Sequence, residues 1–393
     1  MTQPMQRILA TLLIFGSIAS VPARAAENSL TEAEIAEGWL LLFDGESLFG
    51  WRPAGDADFR VDNGRILATS GDVCLLRTTT QFSDYLLQVD FRAAEGTNSG
   101  IFLRTSPQPS QVDRDCYELN IAPPDNPFPT GSLVGREKVS DTSAAANEWH
   151  TFEVTAQGRQ IVVKLDGKQI LDYTDSKKLG KGFIGLQHNA GKVEFRNVKL
   201  KPLGLNPIFN GVDLAGWKTY PEMKSEFTVT EKGWLNVKNG RGQLETNDSF
   251  GDFILQLSCY SNGEQLNSGI FFRCLPGSTM DGYESQIQNG FKEDDRTKPV
   301  DCGTGGIFRR VNARKVVPND FEWFNKTIFA DGPHISVWVN GFQVTDWTDT
   351  RKADPNPRRG LRTEAGTIMI QGHDPTTDLS FRNLEIVEIP SRW

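Results

Sequence analysis

The sequence predicts an all-β chain built as two tandem antiparallel sandwiches, and three observations predict it. Residues alternate at period two: Tyr85, Leu87, Val89 and Phe91 take one face of a strand, and Gln88, Asp90 and Arg92 take the other. Strand-like runs recur about every 8–12 residues between Gly, Asn and Asp punctuation, the spacing of sandwiches and barrels. Finally, the chain says nearly the same thing twice. Phe43-Asp44-Gly45-Glu46-Ser47-Leu48-Phe49-Gly50-Trp51 returns as Phe209-Asn210-Gly211-Val212-Asp213-Leu214-Ala215-Gly216-Trp217, and Asn98-Ser99-Gly100-Ile101-Phe102 returns as Asn267-Ser268-Gly269-Ile270-Phe271. Leu186-Gln187-His188 with Phe195-Arg196-Asn197 becomes Ile370-Gln371-Gly372-His373 with Phe381-Arg382-Asn383. A repeat of about 170 residues is far beyond solenoid periods, so it is a duplicated domain.

The elements follow in chain order. Arg7, an apolar run from Ile8 to Ala19 and Ala23-Arg24-Ala25 make the three parts of a secretory signal, so residues 1–25 are expected to be cleaved after Ala25 and the protein to be secreted or periplasmic. No later run reaches about 18 apolar residues, so no membrane insertion is expected. Residues 26–37 form an arm with one short helix, opened by the capping box of Thr31 and Glu34 and stopped at Gly38. Copy one spans 38–202, residues 203–206 are a linker, and copy two spans 207–393. Ile161, Val163 and Leu165 lead into an Asp166-Gly167 hairpin turn, and Ile335, Val337 and Val339 lead into Asn340-Gly341. The register between copies widens between Gln288 and Phe321 and between Asp349 and Gly366, so copy two has gained loops there, and loops on a rigid sandwich are where sites are built.

Composition narrows the function. The formal charge is −8, and about −10 without the basic leader. An acidic exported chain is a poor partner for nucleic acid or anionic lipid and suits a small uncharged glycoside or oligosaccharide. Nothing in the sequence bears on oligomeric state. The five cysteines have no counterparts between copies and form no Cys-x-x-Cys, so disulfides are additions to the framework; Cys274 with Cys302 is the expected pair.

The usual catalytic motifs are absent, and Gly303-Thr304-Gly305-Gly306 reads as a turn. The duplication serves as a filter. Asp44 becomes Asn210 and Asp166 becomes Asn340, so neither charge is required by the shared domain, whereas His188 and His373 correspond and His150 and His334 have no partner. Glu118 and Glu284 lie inside strands, where alternation puts them beside Asn120 and Gln286 on a face opposite Tyr117 and Tyr283. Such a face makes a polar sugar floor or a plain wet sheet surface. Arg104 and Arg273 close the matched Asn-Ser-Gly-Ile-Phe-x-Arg strand, and either orient a substrate oxygen or form an ion pair. Trp338, opposite in face to Val337 and Val339, is a candidate stacking platform. One strand carboxylate per copy is too few for the two-carboxylate mechanism of ordinary glycosidases.

Taken together, the Phe-Asp-Gly, Asn-Ser-Gly-Ile-Phe-x-Arg, Tyr-Glu-x-Gln-Ile, Asn-Glu-Trp, Gln-x-His and Phe-Arg-Asn segments resemble the 3-keto-disaccharide hydrolase family in both copies. The resemblance implies concanavalin A-like jelly-roll sandwiches acting on glycosides oxidised at the sugar's C3. A C3 ketone acidifies the C2 proton, so a base removes it, the C1 substituent leaves, and water adds to the enone. On this reading Glu284, His373 and Arg273 are catalytic, with Glu284 or His373 as the base. Gln286, Gln371, Tyr283, Asp374, Trp338 and Arg296 bind substrate. Copy one, with Glu118, His188, Arg104, Asn120 and Gln187, is a weaker site or a binding module. No cofactor is demanded, and a divalent cation held by Glu, His and Asp stays open. The competing readings are a non-catalytic carbohydrate-binding protein and a structural exported protein on the same sandwich.

Overall fold

The computed structural model describes residues 26–140, 144–177 and 179–390, so the expected leader and its cleavage point lie outside the described residues. Each copy stacks an 8-stranded sheet on a 5-stranded one. The small sheet of copy one has the order Trp51–Ala54, Cys74–Thr78, Phe183–Ala190, Asn98–Thr105, Tyr117–Ile121. Copy two repeats it as Trp217–Lys218, Gly242–Thr246, Thr367–Gly372, Ser268–Cys274, Tyr283–Ile287. The central strands Phe183–Ala190 and Thr367–Gly372 pair antiparallel on both sides with strands distant in sequence, so the chain crosses repeatedly between sheets, as a jelly roll does.

The local chemistry explains the repeated motifs. Both hairpin turns put two residues in the left-handed region, Asp166 and Gly167 at φ 50° and 80° and Asn340 and Gly341 at 48° and 74°, which only Asn, Asp and Gly adopt readily. The indoles of Trp51 and Trp217 are buried and donate to the carbonyls of Leu42 and Ile208, tying each copy's first loop to its core. Arg196 lies 4.0 Å over Trp149 and Arg382 4.1 Å over Trp323, so Asn-Glu-Trp and Phe-Arg-Asn are the two halves of one cation–π contact. Thr31 and Glu34 form the expected capping box on the helix Glu32–Ala36.

The sandwiches are not separate beads. Leu41 donates its N–H to the Gly341 carbonyl and accepts from the Trp338 indole (2.8 and 3.0 Å). Phe82 meets Phe329 edge-on at 5.4 Å, and Thr80 Oγ1 lies 2.8 Å from Ser336 Oγ. Ile254, Phe329, Trp338 and Ile389 of copy two belong to the core of copy one. This overturns Trp338 as a stacking platform. Its strand, His334–Val339, is buried along both faces, whereas the matching Gln160–Leu165 alternates and leaves Lys164 exposed. The outer face that copy one shows to solvent is, in copy two, covered by copy one.

The Cys274–Cys302 bridge is likewise not formed. All five cysteines are buried and none is in a disulfide: Cys274 packs with Phe271, Met280 and Met369, while Cys302 lies within the 300–314 segment, its carbonyl accepting from Ala313.

Because Trp338 fills the seam, Trp338→Ala is expected to cost about 3–5 kcal/mol. Urea unfolding followed by near- and far-UV circular dichroism should keep a single transition at a lower midpoint; two separated transitions would show that the copies are not energetically joined.

Candidate active site

The site begins at the edge strand Tyr283–Ile287 of copy two. Alternation sends Glu284 and Gln286 to the open face of the small sheet, and the neighbouring strand presents Gly269 to them. A Cβ on Gly269 would lie 2.8 Å from Glu284 Cγ and 2.9 Å from its Oε1, so the glycine of Asn-Ser-Gly is the hole into which the glutamate folds. Gly100 and Glu118 stand in the same relation in copy one, at 3.3 Å.

Around Glu284 lies a cleft of about 540 Å³ lined by Arg241, Asn267, Thr279, Met280, Asp281, Asp301, Phe308, Arg358, Gln371 and His373. Glu284 is 5% exposed, and burial pushes its pKa above the ordinary carboxylate range, against the opposing pull of Arg358 and His373. Arg358 Nη2 donates to Glu284 Oε2 at 3.0 Å, and its guanidinium stacks over Phe271 at 4.8 Å. His373 stands at the rim with Nδ1 2.8 Å from Asp374 Oδ2. Gln371 donates to Met280 Sδ at 3.4 Å, and its buried Oε1 has no partner. Gln286 donates to Asn267 (2.8 Å) and Asp301 (3.3 Å), and its Oε1 is also unpartnered. Orphaned acceptors beside a buried carboxyl suit a ligand rich in hydroxyls.

The structure thus brings Glu284, Gln371 and His373 together, with Asp374 orienting the imidazole and Gln286 behind the wall. It moves other expected residues away. Arg273 is fully buried at φ 49°, donating to the carbonyls of Gly251, Gly332 and Arg362 and to Asp252 (2.7 Å); Arg104 does the same with Ser83, Gly158, Leu179 and Asp84. Both arginines lock an end of their sandwich, which accounts for their recurrence. Tyr283 points into the core and donates to Asp349 at 2.7 Å. Arg296 caps the carbonyls of Val316, Val317 and Pro318 and scaffolds its own inserted hairpin.

Copy one is built differently over the same floor. Strand register pairs His188 with Cys74 and Gly372 with Gly242, so His188 matches Gly372 rather than His373. Its ring turns inward, with Nε2 3.1 Å from the Gly191 carbonyl. Asn120 is bonded to the Phe128 carbonyl. Burial pushes Glu118 up to about 7; Gln187 lies within its reach, and among the described residues no cation faces it as Arg358 faces Glu284. Leu75, Phe102 and Cys116 form an apolar cluster there.

Sequence reasoning missed Arg358, Arg241, Asn267, Asp301 and Phe308. Arg358 sits in the inserted 349–366 loop, so the widened register located its segment but not the residue. Among the described residues no group of three or more His, Cys, Asp or Glu is placed to hold a metal ion.

One further group lies beneath the floor. Lys326, where copy one has Phe152, is completely buried and donates to the carbonyls of Ser285 and Gln286, both at 2.8 Å. Burial pulls its pKa down to about 7.

A family profile described as a 3-keto-alpha-glucoside-1,2-lyase-like domain matches residues 38–201 and again 204–387. A 3-keto-disaccharide hydrolase of Bacteroides thetaiotaomicron is 23% identical, the match covering 46% of this chain and 84% of that protein. Two solved candidate glycosyl hydrolases of Parabacteroides distasonis are 21% and 25% identical, with TM-scores of 0.40 and 0.38. They match 46% and 47% of this chain and 100% of each of theirs.

The lowered Lys326 pKa has a definite sign in stability. Between about 7 and the ordinary 10.5 the unfolded chain binds the proton and the folded chain does not, so the cost of burying Lys326 is full below 7 and relieved as pH rises. The stability of Lys326→Met relative to wild type, from urea curves at pH 6 to 10, should therefore be highest at pH 6 and fall steadily above 7. A difference independent of pH would refute it.

Proposed function

The chain belongs, in both halves, to the 3-keto-alpha-glucoside-1,2-lyase-like domain family, and from that premise we propose that the cleft of copy two cleaves glycosides or disaccharides oxidised at C3. The observation that carries the reading is the pairing of a buried, weakly acidic Glu284 with Arg358, facing His373 across one sugar-sized cleft. A base working on a carbon acid needs a raised pKa, and the oxygen that gains charge needs a fixed cation.

In this scheme the C3 ketone oxygen lies toward Arg358, and Glu284 takes the C2 proton as the enolate forms. The C1–O bond then breaks, its electron pair leaves with the aglycone oxygen, and His373, held by Asp374, protonates that oxygen. Water adds to C1 of the enone, giving a proton to His373, while Glu284 returns its proton to C2. Both residues end as they began, and the net change is hydrolysis. Gln371 offers its free oxygen to a sugar hydroxyl, and Gln286, behind the wall, holds Asn267 and Asp301 in place. The expected leader makes this an exported activity, which the N-terminal residue of the mature protein, Ala26, would establish. A carbohydrate-binding role without turnover stands as the alternative.

Purified protein with a 3-keto-glucoside decides between them. Glu284→Gln should lose about 10²–10⁴-fold in kcat. His373→Ala should fail on 3-keto-trehalose but still release nitrophenol from a nitrophenyl 3-keto-glucoside, whose leaving group needs no proton, with only the later hydration of the enone slowed. Since Arg358 holds the Glu284 pKa down, Arg358→Ala should lower kcat and move the acid limb of the pH–rate profile to higher pH. Binding without turnover by the wild-type protein would favour the alternative.

A further inference from the structure

The Asp44 carboxylate is not needed by its own loop. In copy one Asp44 Oδ1 accepts from the N–H groups of Glu46 and Ser47, both at 2.8 Å; in copy two Asn210 Oδ1 accepts from Val212 and Asp213 at 2.8 and 3.0 Å. Asparagine makes the turn equally well, so the charge has another use. Asp44 Oδ2 accepts from Arg314 Nη2 of copy two at 2.7 Å. That guanidinium is sandwiched between Phe49 of copy one (4.4 Å) and Phe342 of copy two (4.2 Å). Arg314 stands where copy one has Ser140, so copy one has no matching arginine and, among the described residues, this clamp is made once.

What the clamp holds is a wall of the cleft. Arg314 ends the segment 300–314, which it anchors through its N–H to the Val344 carbonyl and its Nε to the Gln343 carbonyl. Ala313 donates to the Cys302 carbonyl at 2.8 Å, and Thr345 Oγ1 to the Gly305 carbonyl at 2.9 Å. The same segment carries Asp301, in reach of Gln286, and Phe308, whose N–H bonds the Glu284 carbonyl at 2.9 Å. At the matching positions copy one has Pro127 and Val134.

We propose that copy one is a positioning module for the cleft of copy two, and that Asp44, through Arg314, holds the 300–314 wall in its substrate-fitting place. The clamp itself is independent of the chemistry; its effect on turnover rests on the function proposed above. Asp44 is a positioning residue and touches no substrate.

Asp44→Asn keeps the turn through Oδ1 and replaces the Oδ2 acceptor that faces Arg314 and Ser47 Oγ with an amide NH2, which removes the charge and the bond to Arg314 together. Alkylation of Cys302, followed by peptide mass spectrometry on the full chain, should accelerate about tenfold, the scale of one charge-assisted hydrogen bond, while Cys274 keeps its wild-type rate. On a 3-keto-glucoside KM should rise several-fold with kcat nearly unchanged, because Glu284, Arg358 and His373 stay in place. Arg314→Gln should behave alike, and the double variant should add little to either single one. Unchanged Cys302 alkylation in both single variants would overturn the proposal. So would parallel acceleration at Cys274, which marks general loosening. If no 3-keto sugar is turned over by wild type, the function proposed above fails while the alkylation result still decides the clamp.

Discussion

The docking of copy one onto the outer face of copy two's large sheet is the constraint from which the rest of this molecule follows. Burying Trp338 and Phe329 against Phe82 converts a solvent face into core, and apolar burial of that kind is the dominant favourable contribution to folding. Polar contacts around it fix the registry: Thr79 and His334 meet at Asp346, Lys181 bridges Asp252 and Asp331, and Arg314 meets Asp44. Two copies of one fold thereby acquire different surroundings, and different surroundings permit different roles.

The cleft shows the same asymmetry at atomic scale. Both copies fold a glutamate into a glycine hole, but only copy two sets a guanidinium against it and a histidine on the rim. Glu118 has burial opposed only by a hydrogen bond with Gln187, and an apolar cluster close by, whereas Glu284 has burial balanced by Arg358. A carboxyl that is hard to ionise yet held beside a fixed cation is suited to proton abstraction.

Using the duplication as a filter worked well for the fold and imperfectly for the site. Residues kept in both copies turned out to be largely architectural: Arg104 and Arg273 lock sandwich ends, and the Arg of Phe-Arg-Asn stacks on the Trp of Asn-Glu-Trp. Glu284, Gln371 and Asn267 passed the filter and do line the cleft. Arg358 and Asp301 are found in copy two alone, so a filter for shared residues discards them. The filter also set aside Asp44, whose charge is used across the seam rather than within its own copy.

The sequence by itself determined the elements, because strand alternation, Asp-Gly and Asn-Gly turns and the capping box are local and each encodes its own geometry. It also determined the duplication and the open-face position of Glu284, since side-chain period two needs no tertiary information. Only the tertiary structure decided that Trp338 is core, that Arg273 is a lock, that His188 faces inward, and that Arg358 reaches Glu284 across 74 residues of chain. Those outcomes depend on which surfaces cover one another, and burial is a property of the assembled chain that no local pattern carries.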